Sequence, residues 1–210
     1  METGPQLERS PWPFLQGSEA VQRVRGYFDP KGAFTGRWFE FLGDGGDRPE
    51  VAGRFTAEDI VAVSMLSVSI PPRASIEILD ARAGTLNGLL EGVPVDVELS
   101  EASDEVIDAE RSAAAKLWTE LERIPGVGWV TAHKLLARKR PDLLPVYDRV
   151  VKAALQPTSR EFWGPLRNTL RADDRAIVRR LQEIRKEANL DVQPSLLRIL
   201  DVAVWMEFQS

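Results

Sequence analysis

Ile124-Pro125-Gly126-Val127-Gly128, followed by Thr131-Ala132, is the stretch on which the reading of this chain turns. Leu117, Trp118, Leu121 and Ile124 recur at helical spacing and predict a helix over Ala113 to Arg123. A second helix is predicted over Trp129 to Arg140, stopped by Pro141. The two glycines between them allow a tight turn with unusual φ values. With no side chain there, a phosphate can approach the backbone closely. The helix that follows turns its free N–H groups and its positive dipole end toward that phosphate. Val127 is expected to plug the hairpin into the core. Such a grip on a DNA backbone positions the protein without specifying sequence. An αα-turn that needs glycine for geometry alone is the plainer alternative.

Working outward, Asp148 to Leu155 is predicted as a third helix and Thr158-Ser159-Arg160-Glu161 as the cap of a fourth. Asp173-Asp174 signals a fifth with the stripe Ile177, Leu181 and Ile184, and Ser195 begins a last one. Upstream, Thr56-Ala57-Glu58-Asp59 resembles a capping box before a buried apolar run expected to end near Pro71-Pro72. Two shorter helices, about 74–82 and 84–91, follow, then an acidic connection over 92–104. Residues 1–55 are crowded with glycine, proline and aromatics. They read as an irregular N-terminal arm with one short helix near 35–42, pinned down by its aromatics. The expectation is an all-α chain: an arm over 1–55 and a helical domain over 56–210, with the hairpin at 113–140 and C-terminal helices over 159–208 packing back on it.

Composition sets the outer limits. The chain has 210 residues, 43% hydrophobic and 28% charged, which is ordinary globular usage. It has no cysteine and one histidine, His133, so disulfides, zinc fingers, iron–sulfur clusters and His-rich metal sites are excluded. The N-terminus lacks a basic region followed by an apolar run, and no apolar stretch is long enough to span a membrane, so a cytoplasmic protein is expected. The net charge of −5 argues against nucleic acid until it is divided. Residues 1–110 carry 9 Lys+Arg against 20 Asp+Glu, and residues 111–210 carry 18 against 12, so the halves stand at −11 and +6. The basic excess lies with the hairpin.

Ile124 to Val150 resembles the helix-hairpin-helix segment of the base-excision DNA glycosylase superfamily. In that superfamily a hairpin of the form L-P-G-V-G-x-x-T-A is followed by an aspartate, at a spacing similar to the 20 residues from Gly128 to Asp148. Pro145-Val146-Tyr147-Asp148 is similar to the P-I-x-D of monofunctional adenine-type members, and Leu66-Ser67-Val68-Ser69 to the helix carrying L-S-Q-Q. Phe55 to Val63, Gly126 to Val151 and Leu200 to Met206 also resemble blocks of an actinobacterial family of unknown function, which implies no activity.

The first resemblance implies a helix-hairpin-helix DNA-glycosylase-like bundle, a double-stranded DNA partner and a part in DNA repair. A monomer is assumed. It further implies that a base is flipped out and its N-glycosidic bond cleaved, with Asp148 as the carboxylate that stabilises an oxocarbenium-like transition state or activates water. The Schiff-base lysine of lyase-active relatives would stand two residues after the second glycine, where this chain has Val130. Lys134 and Lys139 match no site of the superfamily. Val68 and Ser69 replace the glutamines that wedge into the duplex, and no histidine follows Asp148. No cofactor is implied; a monovalent cation at the hairpin is the one ion the motif leaves room for.

Each residue also has a plainer reading. Asp148 is placed to N-cap its helix, alone or together with a catalytic role. Arg138-Lys139-Arg140 complements a helix C-terminus or contacts phosphate beside Gly126, Val127, Gly128 and Thr131. Arg149 could extend that surface. Tyr147 and Trp129 line a base pocket or belong to the core, and His133, Trp118 and Trp205 read as packed residues. Arg179-Arg180, Arg185 and Lys186 read as a solvated face. Two functions therefore stand: a DNA-binding protein that grips backbone through the hairpin, or an active monofunctional DNA glycosylase without lyase activity.

Overall fold

The computed structural model describes residues 12–156 and 162–209, and among these it is all-α with no strand. The elements are α1 (Gly17–Phe28), α2 (Ala57–Ser64), α3 (Pro72–Ile76), α4 (Ala83–Glu91), α5 (Asp104–Ile107), α6 (Ala113–Glu122), α7 (Trp129–Lys139), α8 (Arg149–Leu155), α9 (Trp163–Ala188) and α10 (Leu196–Phe208). A wide helical turn over Glu77–Ala81 joins α3 to α4. None of the described helices is long and apolar enough to cross a membrane.

Side-chain caps set several of the helix starts. Thr56 and Asp59 form the reciprocal capping box of α2, Ser112 accepts from the amide of Ala115, and Ser195 accepts from that of Arg198. The expected cap at Thr158 to Glu161 lies outside the described residues. The Asp173-Asp174 signal falls inside α9, where the backbone leaves helical geometry over Ala172, Asp173, Asp174 and Arg175.

Two segments differ from the reading above. The N-terminal arm is not merely irregular: α1 buries Ala20, Val21, Val24, Tyr27 and Phe28 along one face and packs on α9 and α10. That is helical spacing, masked in the sequence by the turn residues around it. Near 35–42 there are only short 3-10 turns, Thr35–Trp38 and Leu42–Asp44. The apolar run of α2 stops at Ser64 rather than near Pro71, and Ser67 takes a left-handed φ of 59°. The carbonyls freed there find donors elsewhere: Thr35 Oγ1 donates to Met65 O at 3.1 Å and Lys134 Nζ to Leu66 O at 2.8 Å. One continuous core runs from Trp12 to Val204, and α10 lies in it against α1, α8 and α9.

Candidate functional site

The hairpin between α6 and α7 forms as its sequence predicts. Ile124 and Val127 are buried, and the Val127 amide donates to Ile124 O at 2.9 Å. The two glycines do different work. Gly126 has φ +91°, and a Cβ there would stand 2.7 Å from Pro71 Cγ, so both conformation and space demand glycine. Gly128 has φ −84°, and a Cβ there would meet nothing within 4 Å. Gly128 is the N-cap of α7, and among the described residues no side chain caps that end, so the first amides of α7 lack a side-chain acceptor.

Beside this end of α7 opens a cavity of about 760 Å³. The end of α2 and the loop after it, the α7 N-terminus, the α8 N-terminus, α10 and the Tyr27–Gly36 segment wall it in. Of the residues singled out in the sequence, Gly128, Trp129, Thr131, Asp148 and Arg149 meet here, so the fold brings the hairpin and the aspartate to one place. Asp148 does cap α8: its Oδ1 accepts from the amides of Val150 at 3.0 Å and Val151 at 3.1 Å. Its Oδ2 lies 3.8 Å from Lys134 Nζ. Trp129 is half-buried between cavity and core, 5.5 Å from the Tyr147 ring and beneath Lys152 Nζ at 5.4 Å.

Three expectations need correction. Arg138, Lys139 and Arg140 do not offer a phosphate-binding strip; they are 1%, 0% and 1% exposed. Arg138 donates to Asp59 Oδ1 at 3.1 Å, to Phe39 O at 2.8 Å and to Leu42 O. Lys139 donates to Val51 O at 2.8 Å and Asp59 Oδ2 at 3.2 Å. Arg140 donates to the carbonyls of Val93, Ala52, Lys139 and Leu90. Tyr147 is not a wall of the cavity: it is buried and stacks on Phe162 at 3.9 Å, and burial pushes its hydroxyl up to about 12. Trp205 packs as read, half-buried on Tyr27 and Phe34, and in addition lines the cavity. Arg180 and Arg185 are not simply solvated: Arg180 donates to Leu15 O and Gly17 O, and Arg185 to Pro194 O. His133 is packed as read. Its Nδ1 lies 2.9 Å from Trp129 O, and burial pushes its pKa down to about 4, so the ring is neutral at pH 7.

Lys134, Arg198, Asp201 and Tyr27 are the cavity residues that the sequence did not disclose as functional. Arg198 Nη1 pairs with Asp201 Oδ2, while Nη2 donates to Tyr27 Oη at 2.6 Å and Gly36 O at 3.0 Å. Burial raises the Asp201 carboxyl to about 6; Arg198 works against that rise and Asp148 adds to it. Burial lowers the pKa of Lys134, and Asp148 and Asp201 counter this. The one available signal was a charged pair, Arg198 and Asp201, at i,i+3 inside the otherwise apolar stretch Leu196 to Met206. Such a pair is costly unless something buried requires it. Among the described residues no cluster of His, Asp or Glu is arranged to hold a metal ion.

Fold and site together define a class: an all-α protein with a glycine hairpin whose helix N-terminus opens on a cleft floored by two carboxylates, a lysine and an arginine. Within it, the chain belongs to a family described as a family of unknown function (DUF6308), whose model matches residues 20–208. No curated protein and no solved structure matches the chain.

Proposed function

We propose that this protein binds double-stranded DNA by its hairpin and hydrolyses the N-glycosidic bond of a modified base turned out into the cleft. The observation that carries the reading is the meeting of two features remote in sequence. The uncapped α7 N-terminus at Gly128 and the Asp148 carboxylate both border one open cavity of about 760 Å³. A phosphate fits the first feature and a developing positive charge on a sugar fits the second. A flipped base fits the space beside Trp129 and Trp205. Arg149 and Lys152 are exposed beside the Asp148 cap and supply the nearest cations for backbone contact.

Duplexes carrying a panel of modified bases, scored for free base and abasic sites, test this reading. Wild type is expected to release base from at least one duplex. Asp148→Asn, which keeps a good N-cap, is expected to reduce release by about 100-fold or more. Equal behaviour of the two proteins on every duplex overturns the enzymatic reading. Retained DNA binding would then leave the second reading, a non-enzymatic DNA binder, which the two amides held by Asp148 Oδ1 favour. Absence of duplex binding at low salt overturns both.

A further inference from the structure

We propose that Asp201, on α10, is the proton donor to the departing base in the cleft, acting as acid opposite Asp148. The proposal rests on the base-releasing reading above and adds a second acid to it. Asp201 belongs to the last helix, far in sequence from the hairpin, yet it lines the same cavity as Asp148. Its side chain is 5% exposed. Its Oδ2 pairs with Arg198, and the residue lines the cavity together with Asp148 and Lys134.

The groups facing Asp201 set its protonation. Arg198 stands on its own helix, Tyr27 reaches that arginine from α1, Lys134 comes from α7 and Asp148 from the start of α8. α9 also packs on α10 and buries the apolar stripe Ile177, Leu181 and Ile184. Two carboxylates in one low-dielectric cleft cannot both ionise cheaply. Asp148 has two helix amides and Lys134 to hold its charge, and Asp201 has one arginine already shared with Tyr27 and Gly36. Burial, with the Asp148 charge adding to it, raises the Asp201 carboxyl to about 6, so it carries a proton below that pH and in a minor fraction at pH 7. Paired carboxyl groups in unlike environments are the arrangement that glycoside hydrolysis uses for acid and base.

The step balances as follows. The C1′–N bond breaks and its electron pair goes to the base, which takes the proton from Asp201. Water forms the new C1′–O bond and gives one proton to Asp148. One water is consumed, free base and abasic sugar are released, and one proton returned from Asp148 to Asp201 resets the pair. Lys134, coupled to both carboxylates and 3.8 Å from Asp148 Oδ2, is placed to balance charge during that return.

A base that is already cationic needs no such proton, and this decides the test. The probes are duplexes with a single N7-methylguanine or 3-methyladenine, whose bases leave without protonation, and matched duplexes with a single hypoxanthine or uracil, whose bases are neutral. On a neutral base, Asp201→Asn is expected to lose about 100-fold or more in kcat/KM. On a cationic base it is expected to lose less than about threefold. Wild-type kcat/KM on the neutral base should fall tenfold per pH unit above about 6, because the acid must be protonated, and Asp201→Asn should lack that limb. Asp201→Glu restores a carboxylic acid and should restore the limb, which guards against mere misfolding of the asparagine variant.

Equal loss on both substrate classes, or no loss on either, overturns the assignment. So does a wild-type enzyme that releases only cationic bases. Release of neither class by wild type removes the base-releasing reading itself, and the assignment falls with it. Asp148→Asn separates these failures: it should impair both classes if the cleft is a base-releasing site, whatever Asp201 does.

Discussion

Helix α7 carries cations to two different destinations. Near its start, Lys134 reaches a cleft open to a ligand, meets one loop carbonyl at 2.8 Å and stands 3.8 Å from Asp148. At its end, Arg138 and Lys139, with Arg140 just beyond, enter a buried cluster where, among the described residues, seven carbonyls and the carboxylate of Asp59 accept from them. The difference lies in what surrounds each group. The segment Phe39 to Ala52 is irregular, so its carbonyls have few backbone donors, and the long side chains of the α7 end supply them. The cleft end leaves groups for something else to engage. Charge alone does not mark a nucleic-acid surface; the density of protein partners around each cation distinguishes a fastener from a site.

The largest expected effect comes from breaking the closed end. Asp59→Asn removes the only carboxylate among the described residues that is bonded to Arg138 and Lys139, while keeping the size of the side chain. Removing one partner of a buried ion pair costs about 3–5 kcal/mol. Urea denaturation should show a loss of that order. A loss under about 1 kcal/mol would mean that the carbonyls alone hold the cluster, and the contrast between the two ends would need redrawing.

The middle of α7 gives a somewhat smaller effect, read through pH. His133 is buried with a pKa near 4, against about 6.5 in an unfolded chain. Between those values the unfolded state binds more protons, so stability from this group is present above about 6.5 and lost as pH falls toward 4. The full window corresponds to about 3 kcal/mol. Glu40 and Asp201 act in the opposite sense: their carboxyls are raised to about 7 and about 6, so their contributions are lost as pH rises through those values. Comparing wild type with His133→Gln cancels them. The stability difference between the two proteins should shift by about 3 kcal/mol in favour of the variant from pH 7 to pH 4. A flat difference would place His133 in contact with water rather than in the core.

The two ends of α7 were also unequally legible in the sequence. The Leu117, Trp118, Leu121 and Ile124 spacing, Gly126, Pro141, and Ser195 and Asp148 at their helix starts act over a few residues, so their patterns placed α6, α7, α8 and the start of α10. The direction of Arg138-Lys139-Arg140 depends on carbonyls 47 to 99 residues away, and no local pattern reports these. The same holds for the cleft floor, where Arg198 answers Tyr27 171 residues upstream. Helix α1 was hidden for another reason. Its apolar spacing is regular, but Gly17, Gly26 and the Asp29-Pro30 turn frame it with signals of irregular chain.

The smallest change in stability carries the sharpest test of the open end. Alanine at Gly126 must adopt a φ near +91° and push against Pro71, which should cost about 1–3 kcal/mol and weaken binding through the fold. Alanine at Gly128 meets neither obstacle: the backbone is extended and nothing lies within 4 Å. Its thermal stability should stay within about 0.5 kcal/mol of wild type. The added methyl group nevertheless stands at the N-cap of α7, where a phosphate would have to approach. Duplex affinity at low salt should therefore fall by about tenfold or more in a protein that is otherwise native. The log–log salt slope should become shallower by about 0.9 for the one phosphate lost. Undiminished binding by a stably folded Gly128→Ala protein would show that the open end of α7 grips no phosphate, and the hairpin would then be a turn like any other.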